Sequence, residues 1–132
     1  TATSQQAADN IGCELGQIVK SLLFIVDEQP VVVLASGDQR VDDRKLAALY
    51  EVSRKKIKIA TADQCASILG YTPGSVPPIA HVTTGHSIWL DSLLQRYTQL
   101  YAAAGADNAI FAVTLPRLLE ITGGRIADLH RE

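Results

Sequence analysis

Apolar and polar positions alternate along this chain in short segments whose period changes from one to the next. In "GQIVKSLLFIVD", residues 16–27, a two-residue period places Ile18, Lys20, Leu22, Phe24 and Val26 on one face and Val19, Ser21, Leu23 and Ile25 on the other. Both faces are apolar enough to be covered, which marks a buried strand with one lysine inside it. A turn at "DEQP" and the run "VVVLAS" make the segment a hairpin. Before it, "TSQQAADNIG" is a helix opened by a capping box from Thr3 to Gln6 and closed by Gly12. After it, a helix starts at Asp42 or Asp43 and runs through "RKLAALYE", and a strand "KKIKIA" follows. Thr61 and Gln64 cap another short helix that ends at Gly70. The remainder predicts a strand "SIWL", a turn of helix near "DSLLQ", strands "YTQLYAAA" and "NAIFAV", a helix opening around Thr114 and Pro116, and a last strand "RIADL" after a Gly-Gly stop.

Short strands with helices interspersed irregularly predict an α+β fold with a mixed or mainly antiparallel sheet. Regular βαβ units and a GxGxxG turn are both missing from the sequence, which argues against a dinucleotide-binding domain. At 132 residues the chain has the length of one domain with a real core. The apolar run ending at Asp27 is too short for a membrane span, so no membrane partner is expected. Cys13 and Cys65 stand apart with no CxxC spacing, the pattern of buried thiols in a reducing cytoplasm.

Lys20 raises the chemical question, because an ammonium sharing a face with Leu22 and Phe24 either snorkels to water or is partly desolvated and needs an anionic partner. The loop "GYTPGSVPPIAH", residues 70–81, is a candidate answer. Its glycines and prolines make it stiff, and successive backbone N–H groups at Gly74, Ser75 and Val76 can form a nest for an anion or a carbonyl oxygen. A net charge of −2 argues against non-specific coating of nucleic acid. It leaves room for a local basic patch at Arg54, Lys55, Lys56 and Lys58. Arg40, Arg44 and Lys45 add cations in "DQRVDDRK", diluted by Asp42 and Asp43. His81 and His86 lack a third ligand, so no metal is expected. Ser21, Ser75 and Ser87 lack a nucleophile elbow, and Asp91 before "SLLQ" reads as a helix cap.

Taken in order, "QQAAD", "QIVKSLLF", "VVVLASGDQRVD", "GYTPGSVPPIAH" and "YAAAGADNAIFAVTLPRLLEITGGRIADL" resemble the YbaK/prolyl-tRNA-synthetase-associated editing-domain family over almost the whole chain. The resemblance implies a mixed, barrel-like and mainly antiparallel sheet flanked by short helices. It also implies a free-standing, cytoplasmic deacylase that hydrolyses mischarged tRNA, chiefly tRNA for proline carrying a small non-cognate amino acid. The "QQAAD" segment is similar to the family's opening helix, and members usually carry a further helix before the position of Thr3, so the expectation is one editing domain over residues 1–132 that lacks this further helix. Lys20 becomes the catalytic residue, holding a phosphate of the terminal adenosine or the ester carbonyl region. Gly74, Ser75, Val76, Pro78, Ala80, His81, Gly105 and Asn108 become substrate-binding residues, and the 54–58 cluster contacts the tRNA acceptor end. No cofactor is called for, and a prolyl-tRNA synthetase is a candidate partner. Ala80 stands where many members carry glycine, and "YAAAG" lacks the histidine of the alanine-specific branch, so the amino acid removed stays open. The alternative is a non-catalytic module that binds aminoacyl-tRNA or a synthetase.

Overall fold

The computed structural model describes residues 4–71, 73, 76–78, 86–105 and 109–132. Among the described residues four α-helices, α1 (Ser4–Ile11), α2 (Asp43–Tyr50), α3 (Ala62–Leu69) and α4 (Leu115–Thr122), flank a sheet of seven strands. These are β1 (Ile18–Val26), β2 (Gln29–Ser36), β3 (Ile57–Ile59), β4 (Ser87–Asp91), β5 (Gln99–Ala103), β6 (Ile110–Thr114) and β7 (Arg125–Ala127). Hydrogen bonding runs in the order β6-β5-β1-β2-β4-β7, with β3 added to β1. The pairs β1–β2, β1–β3 and β5–β6 are antiparallel, while β1–β5, β2–β4 and β4–β7 are parallel. The sheet is therefore mixed, and antiparallel over most of its paired length. Among the described residues no helix is long and apolar enough to cross a membrane.

The expected helix starts are built by the expected side chains. Asp42 accepts from Arg44 N at 2.9 Å, and Thr61 and Gln64 bond reciprocally to each other's backbone N–H. Thr114 accepts from Arg117 N, with Pro116 in the first turn of α4. Thr3, the expected cap of α1, lies outside the described residues.

The hairpin turn is tighter than "DEQP" suggested. Asp27 and Glu28 both take positive φ, 46° and 70°, so the loop has two residues and Gln29 already pairs with Val26. Pro30 sits inside β2 opposite Ile25. Gly37 N donates to Ile18 O, so the even-numbered residues of β1 aim their backbone groups at β2, and Ile25 and Pro30 form a pair without mutual hydrogen bonds. The donor that proline lacks would have pointed toward β4, whose pairing begins only at Val31. Strand β3 is likewise shorter than "KKIKIA". Ser53 accepts from Lys55 N and turns Arg54–Lys56 into a 3-10 helix before pairing starts at Ile57.

One face of the sheet curls around the main core. Val19 and Leu23 of β1, Val32 and Leu34 of β2, Leu90 of β4, Leu100 of β5 and Val113 of β6 meet Leu69 of α3 and Leu118 of α4 there. The two end strands β6 and β7 do not pair with each other among the described residues. The opposite face is covered in two separate places. Helix α1 packs Ala7 and Ala8 on Ile18, and helix α2 packs Leu46 and Ala47 against Phe24, Val26, Val31 and Val33.

Candidate active site

Lys20 stands between those two covered places. Going along its face of β1, Ile18 is buried under α1, Lys20 and Leu22 are half-buried, and Phe24 is buried under α2. Its cross-strand partner is Ala35, 1% exposed, which is small enough to let the lysine stem lie across β2. At the far end of that stem the ammonium donates to the carbonyl oxygen of Gln39, in the loop that follows β2.

The electrostatics leave this ammonium poorly answered. Burial pushes the Lys20 pKa below its usual value, the Arg40 guanidinium pushes it the same way, and Asp38 opposes them least. Asp38 is committed elsewhere, to a two-pronged bond with Arg96 at 3.1 and 2.8 Å that holds its own carboxyl below the usual range. Among the described residues no carboxylate forms an ion pair with Lys20.

The strand edge beside the lysine is open as well. On the edge away from β2, β5 pairs with β1 at Ile18 and Val19, and β3 pairs from Phe24 to Val26. Residues 20–22 have no strand partner on that edge among the described residues. In the parallel register Ala103 would stand level with Lys20, so the β5–β6 turn opens beside this gap. Ser21, on the core-facing side, has a buried hydroxyl with no hydrogen-bond partner among the described residues, and so does Ser36.

Of the other expected site residues, Gly74, Ser75, Ala80, His81 and Asn108 lie outside the described residues. Val76 is 4% exposed and packs in the main core with Val19 and Leu23, on the face of β1 opposite Lys20, and Pro78 is buried. Gly105 is close to the same loop. It has φ 91°, and a Cβ there would lie 2.8 Å from the ring of Tyr71, the residue after the end of α3. The β5–β6 turn and the start of the glycine-proline loop are thus in contact. Gly105→Ala is expected to cost about 1–2 kcal/mol from the left-handed backbone, plus the displacement of Tyr71. Urea unfolding of Gly105→Ala with and without Tyr71→Ala separates the two contributions, and an equal loss in both backgrounds would show that the ring contact carries nothing.

The expected tRNA-binding cations Arg54, Lys55, Lys56 and Lys58 are exposed. Arg54 Nε is 3.0 Å from Asp43, and Lys56 Nζ is 3.9 Å from Asp27. They lie at the end of β1 where Val26 meets Ile57, six residues and about 20 Å from Lys20 at a strand's rise per residue. Arg40, whose charge lowers the Lys20 pKa, is a cation nearer to Lys20 than this cluster, and it sits in a segment diluted by aspartates. A third grouping, Asp91, Asp128 and His130, has its ligand atoms within 4.8 Å of one another. Those atoms are already committed. Asp91 accepts from Leu93 N, Leu129 N and His130 Nδ1, and the Lys45 ammonium is 2.8 Å from Asp128. The grouping is a clasp between β4 and the C-terminal residues.

Residues 1–121 match the aminoacyl-tRNA editing domain family, and the chain belongs to that family. A proline–tRNA ligase of Staphylococcus aureus (strain Newman) is 30% identical over 106 residues, 80% of this chain but only 18% of the ligase. The chain therefore spans about a fifth of such curated relatives. A solved structure provisionally assigned as a trans-editing enzyme for prolyl tRNA synthetase superposes with a TM-score of 0.91 at 35% identity, covering 98% of this chain and 80% of that one. A hypothetical protein of solved structure gives a TM-score of 0.88 at 27% identity, covering 99% and 85%.

Proposed function

We propose that this protein hydrolyses the ester of mischarged tRNA in trans, with tRNA for proline carrying a small non-cognate amino acid as its substrate. The observation that carries the reading is Lys20, a half-buried ammonium beside the open edge of β1 with no ion-paired carboxylate among the described residues. An aminoacyl ester is already activated, so positioning and charge stabilisation suffice for much of the rate. Water adds to the carbonyl carbon, the carbonyl oxygen becomes an oxyanion, the bond to the ribose oxygen breaks, and that oxygen takes a proton. Lys20 is placed to hold the developing negative charge or the adjoining phosphate. Family membership and the likeness to a trans-editing structure support the reading, and prolyl-tRNA synthetase is the natural source of the substrate.

Deacylation over a panel of mischarged tRNAs tests it. The side chains around Lys20 on its face, Ile18, Leu22 and Ala35, are apolar, so selection is expected to rest on size. Apolar pockets discriminate by about 1–3 kcal/mol per methylene, and alanine, serine, cysteine and 2-aminobutyrate esters should be removed with overlapping rates. Tight binding without turnover across the panel would identify a binding module instead. Absolute discrimination between cysteine and alanine esters would point to a mechanism that uses the substrate thiol.

A further inference from the structure

The residues that close the chain bring a second set of cations to Lys20. Val41 and His130 form an antiparallel bridge, Arg131 N donates to Arg40 O at 2.7 Å, and Asp42 N donates to Leu129 O at 2.7 Å. This register sets Arg40 and Arg131 directly opposite each other, an arrangement in which side chains share a side and like charges repel. Arg40 follows Gln39, whose carbonyl oxygen receives the Lys20 ammonium. The fold therefore sets Arg40 beside Lys20 and Arg131 opposite Arg40.

The acidic groups around them are occupied. Asp38 is bound to Arg96, Asp42 lies 3.6 Å from Arg44, and Asp128 and Glu132 lie 2.8 and 3.5 Å from Lys45. Among the described residues neither Arg40 nor Arg131 has an ion pair. Arg40 also depresses the Lys20 pKa, as an uncompensated neighbouring cation does. Neighbouring cations that form no ion pair among the described residues lower their mutual repulsion by taking up a polyanion, and a planar guanidinium suits phosphate oxygens.

We propose that Arg40 and Arg131, beside Lys20, form the surface that takes the phosphates of the single-stranded 3′ end of tRNA. This deepens the editing reading and rests on it. It assigns the entry of the acceptor end to the side of the sheet where β2 leaves Lys20, about 20 Å from the 54–58 cluster.

The test measures binding of an uncharged RNA minihelix with the acceptor stem of tRNA for proline and its unpaired 3′ end, next to the same stem made blunt. Arg40→Gln/Arg131→Gln is expected to weaken binding of the tailed minihelix about tenfold at low salt and to flatten the slope of log K against log salt by about 1.5. The blunt stem should lose little. Arg40→Lys/Arg131→Lys keeps the charges and should retain most of the affinity, which separates lost charge from a disturbed C-terminal segment. Unchanged affinity in the glutamine variant, or an equal loss on the blunt stem, would overturn this surface and leave the editing reading standing on the deacylation panel. Wild-type protein that binds neither RNA and deacylates nothing would overturn both.

Discussion

Lys20→Ala is expected to lower single-turnover deacylation by about 10²–10³-fold, the range found when one preorganised oxyanion donor is removed, while the protein stays folded. The lysine is half-buried, its pKa is lowered chiefly by burial, and among the described residues no carboxylate is ion-paired with it. Removing such a charge also removes its desolvation cost, so stability at neutral pH should be unchanged or slightly higher. The bond given up ends on the Gln39 carbonyl, in a partly exposed loop where water can replace the donor.

The pH dependence has a definite sign. Because the folded-state pKa of Lys20 lies below the ordinary 10.5, the unfolded chain binds more protons between those two values. The charged lysine thus weighs fully against folding below its folded pKa, and this cost fades as pH rises through the window toward 10.5. The stability advantage of Lys20→Ala should be present at neutral pH and narrow in that alkaline window. Urea unfolding at several pH values measures this alongside activity. Arginine should not rescue turnover, since its broad planar head needs space that a point-like ammonium does not. Near-normal hydrolysis by Lys20→Ala would remove Lys20 from the mechanism.

What the sequence revealed of this arrangement follows the range over which each interaction acts. Caps are local, so Asp42, Thr61 and Thr114 announced their helices. The strand phase of 18–26 is local too, and it placed Lys20 on the face of Leu22 and Phe24. The gap around Lys20 depends on where β5 and β3 stop along the same edge of β1, and no periodicity records that. The joining of Arg40 to Arg131 depends on a bridge between Val41 and His130, 89 positions apart in sequence. The basic run at 54–58 was conspicuous because its charges are contiguous. Contiguity also lets a 3-10 turn and nearby aspartates take up part of it. Asp91 caps the turn after β4 by accepting from Leu93 N, a local role its sequence position announces, yet its larger role spans the fold.

That larger role makes Asp91→Ala the substitution with the greatest expected effect on stability. Asp91 ends β4, is 0% exposed, and accepts from Leu93 N at 3.1 Å, Leu129 N at 2.8 Å and His130 Nδ1 at 3.0 Å. Alanine would leave the buried Leu129 N–H without its acceptor and the part-buried His130 ring without its Asp91 partner. Truncating one member of a buried, charge-assisted network costs about 3–5 kcal/mol. Asp91→Asn keeps an acceptor for one N–H and should lose distinctly less. The loss should also reach the RNA, because the Leu129–Arg131 segment that Asp91 anchors is the one that sets Arg131 opposite Arg40. Asp91→Asn, where the protein remains folded, should therefore weaken binding of the tailed minihelix more than binding of the blunt one. Equilibrium urea unfolding with and without a chelator provides the check. A loss below about 1 kcal/mol in Asp91→Ala would mean that the network is replaceable by solvent. A chelator-induced drop in the wild-type midpoint would mean that Asp91, Asp128 and His130 hold a metal ion and are more than a clasp.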